Sequence, residues 1–324
     1  MVSVLSALDR TIVQLLRRSP RASLEDLATR CEVSERTVRR HIDALRENGV
    51  VHLTSSLVNE RITRDVVVAL NAACEPGASQ EVAASLARRE DIRFAAVTVG
   101  SQDVVAELVA PDRAALVTLL TRHLPAVRGV TRIEGSVVLE SLIAGLDWDP
   151  DPSYVSPRRA RARAGTAGPG PVAVDDMDRS LEQLLRQDCR MPVSALARTL
   201  GLSPRAVGQR MARLLDSETL VLRCEAPAAL LGYPWEIRFG AEVEPRRVDD
   251  VLRHLAHDPA VSLLDVTSGR HTVVGHALYR SAADSAGLLR STLAQVPGVR
   301  AVDLTVLLET AKRSWRVPGS RDAG

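Results

Sequence analysis

Three arginines fall within five residues of each other at Arg36, Arg39 and Arg40. Among them run Val38, Ile42 and Leu45 at helical spacing. At about 100° per residue, this stripe leaves Arg36, Arg40, Asp43 and Glu47 on the opposite face, with Thr37 and Arg39 flanking. Guanidinium forks displayed this way suit phosphate oxygens and the edge of guanine in a major groove. Ser34 stands where a hydroxyl caps such a helix. Ser34, Arg36, Thr37, Arg39 and Arg40 are therefore the candidate duplex contacts.

Positioning these side chains requires a helix held at a fixed angle. Ser6-Ala-Leu-Asp9 reads as a capping box opening a first helix over 6–17, with Leu8, Ile12, Leu15 and Leu16 apolar. Pro20-Arg21 breaks it. Ser23 opens a second helix carrying Leu24, Leu27 and Ala28, which ends near Cys31-Glu32. The third runs from Ser34 to Gly49, a residue suited to the left-handed end of a helix. A short strand follows at Val50–Leu53. Three short helices with a tight turn before the third are the pattern of a helix-turn-helix. From 63 to 142 the texture changes to strand, helix, strand, strand, helix, strand. Gly100-Ser-Gln-Asp103 turns between the middle strands, and the order is that of a ferredoxin-like domain. Its bare sheet face needs a second layer.

The second layer is encoded in the same chain. At an offset of 169 residues Asp9-Arg10 falls on Asp178-Arg179, Leu27-Ala28 on Leu196-Ala197, Ser34 on Ser203, Arg36 on Arg205 and Gly129-Val130 on Gly298-Val299. A period this long is a duplicated module rather than a solenoid repeat. The second reading helix is poorer: Arg39 and Arg40 become Gly208 and Gln209, and His41 becomes Arg210. Arg205, Gln209, Arg210 and Arg213 are its candidate contacts, and unequal half-sites are expected. With Gly49 replaced by Glu218, the second helix is expected to end differently. Between the copies, 148–174 holds Arg158, Arg159, Arg161 and Arg163 among Ala, Gly and Pro, and reads as a solvated flexible linker.

Composition narrows the function. The net charge of +2 leaves any nucleic-acid affinity to local patches, and 2% aromatic content leaves Leu, Val, Ala and Ile to build the cores. No apolar run is long enough for a membrane span, and no basic-then-apolar leader opens the chain, so a cytoplasmic protein is expected. Cys31, Cys74, Cys189 and Cys224 form no CxxC pair and read as reduced, mostly packed thiols. No Gly-rich phosphate loop, nucleophile elbow or paired zinc motif is present. His254 and His257 are better explained by an exposed helix end. Neither cofactor, metal nor catalytic residue is expected.

The ordered set of motifs resembles the Lrp/AsnC family of transcriptional regulators. In copy one the resemblance is carried by Leu8-Asp9, Leu15-Leu16, Arg21-Ala-Ser23, Leu27-Ala28, Ser34-x-x-x-Val38, Leu45-x-x-x-Gly49-Val50, Gly100-x-x-Asp103 and Gly129-Val130. Copy two carries Met177-Asp178, Gly201-Leu-Ser203, Val207-x-x-Arg210, Gly269 and Pro297-Gly298-Val299. The resemblance implies an α+β chain in which a winged helix-turn-helix and a ferredoxin-like βαββαβ domain are duplicated in tandem. The divisions are 1–60 and 175–227 for the helix-turn-helix domains, 61–147 and 228–313 for the ferredoxin-like domains, 148–174 for the linker and 314–324 for a tail. It also implies double-stranded DNA as partner, sheet-to-sheet pairing that makes one chain a pseudo-dimer, and further homo-oligomerisation. An amino-acid or other small effector is implied at the hairpin turns, with Gly100, Gln102, Asp103, Gly269, His271 and Thr272 as candidate contacts. Thr272 carries no charge where the first turn has Asp103, so one asymmetric pocket is expected over two equal ones. Sirohaem decarboxylases resemble paired chains of this kind and supply an enzyme alternative. A ligand-sensing adaptor that has lost DNA binding is another.

Overall fold

The computed structural model describes residues 5–57, 65–170 and 172–313. The expected domain boundary at 60–61 and the tail at 314–324 lie outside these residues. The chain separates into two compact units: one from 1–62, 146–157 and 167–234, the other from 63–145, 158–166 and 235–324. Each unit therefore takes its material from both copies of the repeat.

The first unit holds both helix-turn-helix modules. In copy one these are α1 (Ala7–Arg18), α2 (Leu24–Cys31) and α3 (Glu35–Glu47). Ser6 and Asp9 form the expected capping box, and Ser23 and Ser34 accept from the amides of Asp26 and Thr37. Ile12, Val13, Leu16, Leu27, Val38, Ile42 and Leu45 close the core. Strand β1 (His52–Leu57) follows.

After the segment between the copies come α7 (Asp176–Gln187), α8 (Val193–Leu200), α9 (Pro204–Asp216) and β6 (Leu220–Glu225). Strand β1 pairs antiparallel with β6, and Thr54 faces Arg223, its own counterpart in the repeat. A pseudo-two-fold axis therefore passes through that pair. Arg21 and Arg190, also counterparts, clasp reciprocally: Arg21 donates to the carbonyls of Cys189 (2.6 Å) and Met191 (3.0 Å), and Arg190 to that of Pro20 (2.8 Å).

Helix α9 ends as α3 does, against the sequence expectation. Gly49 and Glu218 both take the left-handed conformation, at φ 65° and 53°. The amides of Gly49 and Glu218 reach the carbonyls of Arg46 and Leu215, each at 2.9 Å.

The second unit is a closed eight-stranded barrel. Copy one contributes β2 (Val66–Cys74), α4 (Ser79–Ala87), β3 (Ile92–Gly100), β4 (Val104–Ala110), α5 (Arg113–Thr118) and β5 (Val130–Ile143). Copy two contributes β7 (Trp235–Val243), α10 (Val248–His257), β8 (Val261–Thr267), β9 (Val273–Tyr279), α11 (Ala282–Gly287) and β10 (Val299–Arg313).

The strands run β10-β3-β4-β2-β5-β8-β9-β7 around the barrel. The two sheets thus join by their edges, so each described strand of the barrel is paired on both sides. The two seams match in register: Val138 faces Thr267 as Leu307 faces Thr98, and Glu140 faces Val266 as Glu309 faces Val97. Helices cover each outer face, giving one core around Val68, Leu70, Val82 and Leu108 and another around Phe239, Val251, Leu255 and Leu264.

The segment between the copies is not a solvated tether. Pro157–Ala164 forms helix α6. Arg159 is 3% exposed and donates to the carbonyls of Ala256 (3.3 Å), Asp258 (3.0 Å) and Val261. Arg163 adds a bond to Ala256 at 2.9 Å. The last carbonyls of α10 lack partners within their own helix and form the negative end of its dipole, so guanidinium groups satisfy both needs.

Candidate nucleic-acid interface and effector turns

On α3 the buried stripe is Val38, Ile42 and Leu45, which leaves Arg36, Arg39 and Arg40 exposed. None of the three makes a hydrogen bond or ion pair with a described residue. Thr37 is half-buried, and its hydroxyl lies 2.9 Å from that of Ser34. Ser34 thus spends its oxygen on the start of the helix while remaining exposed beside the arginines. His41 turns away to Asp9 at 2.7 Å. Burial works to raise the Asp9 pKa, but bonds from Ser6 and His41 outweigh it and hold the carboxyl below its usual range.

Helix α9 has the same frame and a different surface. Arg205 and Gln209 are exposed, as Arg36 and Arg40 are. Arg210 and Arg213, expected among the duplex contacts, are instead engaged with the protein. Arg210 reaches Asp175 (2.7 Å) and Asp178 (2.8 Å), and Arg213 reaches Asp178 (2.5 Å) and the carbonyl of Ala173 (2.8 Å). The Asp178 side chain is 1% exposed, and a carboxylate so buried must be paired. Its counterpart Asp9 makes the same contact with a single His. Gly208 faces open space.

The hairpin turns are held by bonds internal to the fold. The Thr98 hydroxyl donates to the Gln102 carbonyl at 2.7 Å, and the Asp103 carboxylate accepts from the Cys74 amide at 2.8 Å. Asp103, read as an effector contact, thus fastens the turn to the end of β2. A Cβ on Gly100 would stand 2.8 Å from the carbonyl of Leu304, so glycine is needed there for close approach to β10. In copy two the Thr267 hydroxyl donates to the His271 carbonyl, and Gly269 lies against Ser136 of β5. Each turn therefore meets the last strand of the other copy. Gln102 and Thr272 are half-buried. His271 lies over Gly240, where a Cβ would come within 2.6 Å of its ring, and burial lowers its pKa.

One group of charged residues was not singled out from the sequence. Glu236, Arg238, Asp265, His276 and Asp303 alternate along copy-two strands with residues of the outer core, so they face the barrel lumen. His276 Nδ1 lies 2.8 Å from Glu236, and Arg313 donates to the same carboxylate at 2.6 Å. The sequence signal was Glu236-x-Arg238 in a strand whose alternate positions are apolar, a pattern that reads as an ordinary solvated face.

Sequence comparison agrees with this architecture. The Lrp/AsnC ligand binding domain matches residues 65–146 and 239–317. A winged helix-turn-helix DNA-binding model matches 5–52, and the AsnC-type helix-turn-helix domain matches 174–215. An uncharacterised HTH-type transcriptional regulator of Pyrococcus abyssi is 26% identical over 149 residues, which is 44% of this chain and 90% of that one. The HTH-type transcriptional regulator LrpA of Pyrococcus horikoshii is 26% identical over 142 residues, 43% of this chain and 99% of its own. Among solved structures, the siroheme decarboxylase NirDL superposes with a TM-score of 0.62 over 96% of this chain and 93% of its own, at 13% identity. At that identity the likeness is one of fold.

Proposed function

The chain belongs to the Lrp/AsnC family of transcriptional regulators, and from that premise we propose that it binds operator DNA in the cytoplasm as a pseudo-dimer contained in one polypeptide. The observation that carries this reading is the exposed, unpaired Arg36, Arg39 and Arg40 on a capped helix of a helix-turn-helix. Its domains are the helix-turn-helix modules at 1–60 and 175–227 and the ferredoxin-like domains at 61–147 and 228–313, with α6 of the intervening segment packed on the second ferredoxin-like domain. Helix α3 reads bases and phosphates, with Ser34 and Thr37 at its start, while α9 offers only Arg205 and Gln209. A small effector acts on the ferredoxin-like unit and changes the geometry of the reading helices, since half-site spacing controls fit. Further copies associate into a homo-oligomer.

A decarboxylase on this fold is the weaker reading, because the resemblance to NirDL carries architecture and not chemistry. The adaptor reading is weakened by the intact α3 surface.

The test is fluorescence anisotropy on a duplex selected from genomic fragments, titrated at several salt concentrations. Affinity should fall with salt at a log–log slope of about −0.9 per phosphate contacted. Arg36→Ala with Arg40→Ala should flatten that slope by up to roughly 2. An absence of salt-sensitive binding, or an unchanged slope in the double variant, would remove the proposal.

A further inference from the structure

Helix α3 opens with a carboxylate. Glu35 is its first residue and is exposed, one place before Arg36 and one turn before Arg39. Its side chain makes no hydrogen bond or ion pair with a described residue. The Ser34 hydroxyl already caps the helix by accepting from the Thr37 amide, so Glu35 has no part in that cap. With Glu25 of α2 and Glu32 of the turn, Glu35 lines a recess that also takes in Ala28 and Val33.

Negative charge at this place needs a reason. Duplex affinity comes largely from cations set against phosphates, and a carboxylate on the docking side works against it. An acidic residue at the start of a helix complements the dipole, but the frame does not require one. Helix α9 starts from the equivalent cap at Ser203 with Pro204 as its first residue and no acid in its first turn, and it too forms 13 residues of helix. Ser194, Gly201 and Pro204 stand where copy one has Glu25, Glu32 and Glu35. The carboxylates thus belong to the copy that keeps Arg36, Arg39 and Arg40.

Chemistry selects their counterpart. The first residues of a reading helix are those that meet base edges in the major groove. Phosphates repel Glu25, Glu32 and Glu35, which keeps this edge of the module off the backbone strands and leaves the base edges. A carboxylate can only accept. Guanine and thymine present acceptors there, and adenine sets its N6 donor beside the N7 acceptor. Cytosine alone offers its N4 donor with no acceptor next to it.

We propose that Glu35 determines operator specificity by accepting from the N4 amino group of one cytosine in the half-site that α3 reads. Pro204 can make no such contact, so the other half-site has no equivalent cytosine. The proposal rests on the operator-binding reading above and names a base which that operator must contain.

Selection from a randomised duplex pool by the full chain, as wild type, Glu35→Gln and Glu35→Ala, tests it. The wild-type motif should hold a cytosine at one position with no symmetry mate. In Glu35→Gln the preference at that position should move to adenine, because a side-chain amide pairs with adenine N6 and N7, while the rest of the motif stays. In Glu35→Ala the position should lose its preference. Measured by anisotropy, replacing that C·G pair with T·A should weaken wild-type binding roughly fivefold or more, and Glu35→Ala binding by less than about twofold. A residue that merely complemented the helix dipole would lower the melting temperature when replaced and leave the motif untouched. A motif unchanged in a folded Glu35→Gln chain, or equal wild-type affinity for the C·G and T·A duplexes, would overturn the proposal while leaving operator binding in place. Failure of the wild-type chain to enrich any sequence would overturn both.

Discussion

At the scale of single residues, two buried carboxylates control measurable properties. Burial would raise the pKa of Glu236, but the Arg313 charge and the His276 bond prevail and bring it from 4.5 to about 2. Burial keeps His276 on the neutral side, so Arg313 is the main counter-charge. A carboxyl depressed in the folded state stabilises fully above its unfolded value. That stability, on the order of 3 kcal/mol, is lost as pH falls from about 4.5 towards 2. Urea melts across this window should show the decline in the wild-type chain and a much flatter profile in Glu236→Gln. Asp178 differs because its partners are cations that the sequence assigns to DNA. Asp178→Asn leaves Arg210 and Arg213 without their carboxylate and should cost about 3 kcal/mol, near the lower end for a broken buried pair because both arginines reach solvent. A melting temperature equal to wild type would refute that assignment. The sequence showed Arg210 and Arg213 as outward-facing cations, but not the buried Asp178 that claims them, because that contact spans more than 30 residues.

At the scale of elements, caps and turns were legible and partners were not. The capping box at Ser6 and Asp9 and the cap at Ser34 depend on residues three apart, so local spacing defines them. The exit from α9 is also local, yet it overrides residue preference. Glu218 accepts a left-handed conformation that costs a non-glycine residue about 1 kcal/mol, because the Leu214 and Leu215 carbonyls need the same two amides that Gly49 and Val50 supply in copy one. Glu218→Gly should therefore raise the urea midpoint by an amount corresponding to up to about 1 kcal/mol. A lowered midpoint would mean that the Glu218 side chain contributes more than its backbone costs. The sequence reads α6 as a tether because its arginines have no partners within a helical turn: Arg159 and Arg163 bind carbonyls more than 90 residues downstream, and Arg158 binds those of Ser141 and Leu142 on β5.

At the scale of the whole molecule, duplication frees the copies to diverge. A symmetric dimer must present two equal reading helices, whereas this chain presents Arg36, Arg39 and Arg40 on one and Arg205 with Gln209 on the other. Arg36→Ala with Arg40→Ala should cost several-fold more DNA affinity than Arg205→Ala with Gln209→Ala. The preferred operator should also depart from a palindrome. Equal losses in a binding titration would show the half-sites to be equivalent. The lumen diverges only in part: Arg238 and Asp265 stand where copy one has Ala69 and Ala96, while His276 and Asp303 stand where it has Glu107 and Glu134.

The sequence by itself determined the duplication, the order of helices and strands in each copy, and the arginine face of α3. Each of these is written in periodicities of two, 3.6 and 169 residues that need no knowledge of distant contacts. Tertiary structure decided that β1 pairs with β6 across the repeat, that the two sheets close into a barrel, and that Arg210 and Arg213 are turned to Asp178. It also enclosed Arg238. Whether a charged strand position faces water or a lumen depends on which sheet edge its neighbours join, and that choice is made by strands far apart in the chain.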